Sequence, residues 1–367
     1  MTAAPFRTRL TDLFGIRHPL LLGGMHHLGE SGVVAAVVNA GAMGFIRARS
    51  FATPDALRRD LRRCRELTGG RPFGVNLTLA RRVGHNDAVK DWIRIALDEG
   101  VRHFESAGNS PADLVAPIQR GGGVLIHKCP SVRHALSAER LGVDAVALVG
   151  LEEGGHPGAN KLSAFVNGAF ALDHVRVPLV IGGGIGSGRQ IAAALAMGAD
   201  GVVMGSRFMV AEEIIAHRAL KARIVAADEH CSVTILDSLG DTWRVLDNDT
   251  ARAVQQLEAQ GARAHADFGD LILSARTRER VYESGDVEAG IVSLGPAGGF
   301  ADHIEPAGDI VARLMADAGR AAASLSSVLR HEAVPHSATP TVDVEALPSN
   351  ALGARVPTKG DTYADQS

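Results

Sequence analysis

Several side chains able to do chemistry stand where apolar, strand-like runs give out. Lys128 ends the run 124–129 (VLIHKC), Asn76 lies within 72–79 (PFGVNLTL), His26 and His27 follow 18–25 (HPLLLGGM), and Ser206 follows Gly205 after 201–204. A lysine at the end of a buried strand is costly unless it meets an anion or an electron-rich ring; the bland alternative is a stem that snorkels out to water. Alternation along that strand then turns Cys129 away, toward packing. Asn76 offers a donor and an acceptor together, which suits the edge of a heterocycle as well as a satisfied turn. His156, flanked by Gly154, Gly155, Pro157 and Gly158, is an uncrowded imidazole that can hold or pass a proton near neutral pH. Glu152 and Glu153 read either as an acid–base pair or as a solvated loop. Neighbours such as His26 and His27 seldom turn to one ion, so no metal is expected.

Two glycine-rich turns set the frame for these groups. The run 178–181 ends in Gly182, Gly183 and Gly184, and 201–204 ends in Gly205 and Ser206. Glycine lets a backbone approach an anion closely, and a following helix start supplies unpaired N–H donors. A dinucleotide turn, G-x-G-x-x-G, does not fit: from Gly182 the third glycine is Ser187, and from Gly184 it is Arg189. In a (β/α)8 barrel the loops after strands seven and eight form such a phosphate site, and catalytic groups sit at the same end.

The positioning elements follow. Apolar runs at 18–25, 43–48, 72–79, 101–107, 124–129, 144–150, 178–181 and 201–204, with helical patterns between them, predict an α/β TIM barrel in residues 1–227. Residues 211–228 read as helix, 231–246 as an extended pair, and 250–260 and 268–282 as helices, which makes 228–300 a mainly helical lid. A closing barrel helix is expected at 310–329, within a segment 301–333, and a flexible tail at 334–367.

Composition removes other classes. With 367 residues and 46% hydrophobic content the chain can bury a large core, and a net charge of −3 speaks against a nucleic-acid or anionic-membrane partner. The three cysteines are far apart, so neither a disulfide framework nor a zinc site is expected. No signal-like start or membrane-length apolar run is evident, so a cytoplasmic protein is the default. A homodimer is compatible with all of this.

Taken in order, GGM at 23–25, FGVNL at 73–77, HKCPSV at 127–132, EEGGHPG at 152–158, the glycines at 182–184 and GADGVVMGSRF at 198–208 resemble the nitronate monooxygenases (2-nitropropane dioxygenases). Bacterial FMN-dependent enoyl-acyl-carrier-protein reductases share the fold and motifs. The resemblance covers roughly residues 10–225. It implies FMN, with phosphate on Gly183, Gly184, Gly205 and Ser206. Gly23, Gly24, Met25, Asn76, Lys128, Gly154 and Met204 would lie along the ring and ribityl chain, and His156 would be the catalytic base or substrate-positioning group. Departures are Val149 where glutamine is common, Ser206 for threonine, and His26 and His27 where small or apolar residues are usual. The last two would make the substrate side more polar. The resemblance implies oxidation of alkyl nitronates by O2; NAD(P)H-dependent reduction of enoyl thioesters or quinones and a non-redox phosphate-binding barrel remain as alternatives.

Overall fold

The computed structural model describes residues 6–80, 86–158 and 161–328. Eight parallel strands close into a barrel in chain order: β1 Leu20–Leu22, β2 Met43–Arg47, β3 Gly74–Leu79, β4 His103–Gly108, β5 Val124–Cys129, β6 Ala145–Val149, β7 Leu179–Gly182 and β8 Gly201–Met204. Leu22 opposite Met204 closes the ring. A helix, α1 Arg9–Phe14, precedes β1, and helices follow the strands: α2 Ser31–Asn39, α3 Pro54–Leu67, α4 Val89–Asp98, α5 Ala112–Arg120, α6 Val132–Arg140, α7 Ala164–Leu172, α8 Gly188–Ala196 and α9 Arg218–Val225. Local chemistry sets their starts. Thr53 caps α3 with Pro54 in its first turn, and Ser187 caps α8 in a reciprocal capping box with Gln190.

Two of these helices carry no clear period in the sequence. In α5 an internal Pro117 interrupts the helical pattern. In α7, AFVNGAFAL, apolar residues run all round the helix and leave Phe165 and Phe170 exposed, so no polar face marks its period.

Strand alternation divides the barrel into two regions. Outward residues such as Leu22, Ile46, Val75, Leu125, Leu148 and Ile181 pack with the helices in one cluster. Inward residues Leu21, Met43, Phe45, Ile126, Ala147, Val180 and Val203 form a second, joined by Leu10 and Phe14 of α1. The same inward parity one step further along the strands carries Gly23, Arg47, Asn76, Glu105 and Lys128.

After α9 the chain leaves the barrel repeat. An antiparallel pair, β9 Ser232–Ile235 and β10 Trp243–Leu246, is followed by α10 Asp249–Ala259, and by α11 Ser274–Arg276 running into a π-helical stretch Thr277–Glu283. The helix expected over 268–282 therefore starts only at Ser274, because a 3₁₀ turn ends at Phe268 and Gly269 takes φ +54°. Likewise 211–228 is helical only from Arg218, since the backbone of Ala211 and Glu212 pairs with Glu305. The closing helix, α12, spans Ala307–Val328. The tail expected at 334–367 lies outside the described residues. Among those described, no helix is long and apolar enough to cross a membrane.

Gly74 shows how tightly the barrel interior is filled. A Cβ there would collide with the Phe45 ring and lie 3.0 Å from the His103 carbonyl. Gly74→Ala is expected to destabilise the protein by about 1–3 kcal/mol through overpacking, read as a lower urea midpoint with an unchanged slope.

Candidate active site

The strand ends and the inserted segment enclose a cavity of 760 Å³. Its floor is charged. Lys128 Nζ lies 3.2 Å from Glu153 Oε1 and 3.6 Å from Glu105 Oε1. Glu105 Oε2 accepts hydrogen bonds from Asn76 Nδ2 at 2.5 Å and from the Gly24 N–H at 2.9 Å, and Thr78 Oγ1 donates to Asn76 Oδ1 at 2.9 Å. Burial opposes the lysine's charge, but the two carboxylates more than offset it and hold its pKa well above the ordinary range. Burial raises Glu153, with Lys128 only partly opposing. Gly24 must be small here, since a Cβ would overlap the Asn76 side chain.

One end of the cavity is bordered by backbone. Gly183 and Gly184 take φ +94° and +73°, conformations that L side chains rarely adopt. A Cβ on Gly205 would meet nothing nearer than Met25 Sδ at 4.0 Å, so it would project into open space. Ser206 Oγ accepts the Gly295 N–H at 2.9 Å, which leaves its own proton to donate. Gly23, Met25, Gly154 and Met204 border the same cavity. Gly154 packs against the backbone of Leu294 and Gly295, where a Cβ would come within 2.6 Å of the Gly295 nitrogen. A glycine rim, then an amide and a cation, could hold a phosphorylated ligand with a planar head.

The inserted segment sets His156. Gly155 exchanges backbone hydrogen bonds with Arg244 of β10, at 2.9 and 2.7 Å, and Arg244 Nε donates to the Leu151 carbonyl at 2.7 Å. The His156 ring stacks on Trp243 with centroids 4.9 Å apart, and its Nε2 lies 3.9 Å from Asp241 Oδ2. Trp243 is held by its Nε1 donating to Ser293 Oγ at 2.8 Å. Glu152 turns the other way and accepts the Ala164 N–H at the start of α7, so the two adjacent glutamates are neither an acid–base pair nor simply solvated.

His26 and His27 stack with ring centroids 3.8 Å apart, and the Nε2 of each is hydrogen-bonded to Ser274 Oγ, at 3.0 and 3.2 Å. Burial, then the charge of Arg47, pushes His26 down to about 2, so it is a neutral imidazole. Among the described residues no metal-ligand cluster borders the cavity, and the one His/Asp/Glu grouping, Asp302, His303 and Glu305, is engaged by Arg207 and Arg313. Cys129 is buried outside the barrel interior, in the cluster with the helices.

All residues singled out from the sequence therefore border one cavity. Sequence reasoning missed Arg47, Glu105, Asp241, Trp243 and Tyr282. For Arg47 and Glu105 a signal existed, a charge at an inward position of an apolar run. For the other three none did, since they come from the insertion.

A closed barrel with a glycine rim and titratable groups at its mouth has the layout of a small-molecule enzyme. The chain belongs to the nitronate monooxygenase family, whose model matches residues 7–317, and it is an oxidoreductase of that type. A Mycobacterium tuberculosis protein named (3aS,4S,5R,7aS)-5-hydroxy-7a-methyl-1-oxo-octahydro-1H-indene-4-carboxyl-CoA dehydrogenase is 33% identical over 259 residues, 70% of each chain. A probable nitronate monooxygenase of Bacillus subtilis is 32% identical over 266 residues, 62% of this chain and 76% of that one. The solved structure of FabK from Thermotoga maritima superposes with a TM-score of 0.80 at 32% identity, covering 88% of this chain and 99% of that one.

Buried neutral histidines make stability depend on pH. Burial pushes His103 and His127 to about 4; His18 also reaches about 4, through burial and then the charge of Arg17, and His26 reaches about 2. Each takes up a proton near pH 6.5 in the unfolded chain but not in the folded one. The unfolded state then binds more protons, and stability is lost as pH falls from about 6.5 toward 4, by about 1.4 kcal/mol per pH unit for each histidine. Urea melts across that window are expected to show the loss, and His103→Gln to make it shallower.

Proposed function

We propose that the chain is an FMN-dependent oxidase of alkyl nitronates, forming a carbonyl compound and nitrite with O2. One observation carries the reading: a single cavity joins a glycine rim suited to a phosphate to His156, an imidazole held against Trp243. Gly183, Gly184, Gly205 and Ser206 would hold the phosphate, and Gly23, Gly24, Met25, Asn76, Lys128, Gly154 and Met204 would lie along the ring and ribityl chain. When bound, FMN supplies an electron acceptor that passes electrons on to O2.

The protein's own groups hold and orient. His156, kept against Trp243, presents an imidazole that can hold a proton at Nε2 beside Asp241 or hydrogen-bond a substrate oxygen. Lys128, with two carboxylates beneath and beside it, keeps its charge throughout the neutral range and offers a fixed positive field to an electron-rich edge. The inserted segment, through Trp243 and Ser274, forms part of the cavity wall.

A second reading, NAD(P)H-dependent conversion of a thioester, is favoured by the 33% identity to a protein named as a carboxyl-CoA dehydrogenase. The two separate in one experiment. FMN-loaded protein, mixed without oxygen, is expected to lose its flavin absorbance with ethylnitronate and to keep it with NADH or NADPH; the reverse pattern selects the second reading. A protein that purifies colourless and takes up no FMN would exclude both. His156→Asn is expected to retain FMN and to lose turnover by about 100-fold or more, measured as nitrite release.

A further inference from the structure

The inward face of β2 ends in Arg47, which lies beside Asn76 and then Glu105 in the strand ladder. Asn76 commits its amide to Glu105, and Glu105 accepts from Asn76 and Gly24 on one oxygen and faces Lys128 with the other. Little acceptor capacity remains for Arg47. Its Nε is shielded from solvent without a hydrogen-bond partner, and its guanidinium forms no ion pair with any described residue. A guanidinium carries five donors, and leaving its shielded Nε–H unpaired is costly unless a ligand supplies the acceptor. It stays charged at neutral pH, since burial and the neighbouring Arg49 lower its pKa only to about 10.

Its surroundings in the cavity wall are polar but neutral. His26 and His27 are fixed by the shared Ser274 hydroxyl, and His26 Nδ1 is shielded without a partner. Tyr282 borders the same cavity, and burial raises its pKa, so it remains a neutral phenol. A guanidinium flanked in the cavity wall by neutral hydrogen-bonding groups, with the neighbouring carboxylate of Glu105 already engaged, complements a planar monoanion with two oxygens. Such an anion takes the guanidinium fork in two parallel hydrogen bonds, which an ammonium cannot match.

We propose that Arg47, with His26 and His27, forms a substrate subsite for a planar two-oxygen monoanion, a carboxylate or a nitronate. The subsite deepens the functional reading and rests on it for the nitronate arm alone. It also separates anions from their neutral parents, because a nitroalkane or an amide of the same shape gains nothing from the fixed charge.

Isothermal titration calorimetry on the FMN-loaded protein tests this with nitrate, propionate and neutral propionamide. Nitrate and propionate are expected to bind, and propionamide is not. Arg47→Met is expected to weaken both anions by about tenfold or more, leaving the FMN dissociation constant and the melting temperature near those of the parent. The KM for ethylnitronate should rise in that variant. Should Arg47→Met fail to fold, Arg47→Lys, which keeps the charge and loses the fork, must weaken propionate several-fold. The proposal is overturned if the parent binds neither anion, if either variant binds them as the parent does, or if FMN is lost in step with the anions. Carboxylate binding through Arg47 in a protein that turns over no nitronate would leave the subsite standing and remove the nitronate reading. Equal nitronate kinetics in parent and variant would do the opposite.

Discussion

A layer of charge laid over an apolar layer inside a closed barrel is the constraint on which the rest depends. Lys128 keeps its charge there because Glu105 and Glu153 stand on either side, and Glu105 in turn is held by hydrogen bonds from Asn76 and Gly24. Removing one member of such a set leaves its partners desolvated and unpaired, which costs far more than the pair contributes. The set therefore acts as a rigid floor, and whatever ligand rests on it meets groups whose positions are already determined.

Above that floor the inserted segment forms part of the cavity wall. Arg244 ties the loop after β6 to β10, Trp243 backs His156, and Ser274 clamps the two histidines at the end of β1. The barrel contributes what binds an anion and a planar ring, and the insertion contributes what orients a substrate over it. In a family whose relatives carry names for different substrates, the insertion and the end of β2 are where this chain can differ without disturbing the barrel.

Arg47 and the His26–His27 pair give the cavity a polarity of its own. The imidazoles are neutral because burial and the guanidinium both disfavour a second positive charge, so the fixed cation is not diluted by titration near neutral pH.

The eight strands, the glycine rim and the placement of Lys128, Asn76 and His156 at strand ends could be read from the chain, because these signals are local: apolar runs, glycines at their ends, period-two alternation. Helix α7 escaped that reading because it has no polar face, and the helix expected from 268 was cut back to Ser274 by Gly269. Only the tertiary structure decided that Glu153 faces Lys128 while Glu152 caps a helix, that Trp243 and Asp241 reach His156, and that Arg47 is left without a carboxylate. Local pattern determines which face a side chain takes. Its partner is set by the closure of the barrel and the return of a segment some ninety residues later, which no local pattern encodes.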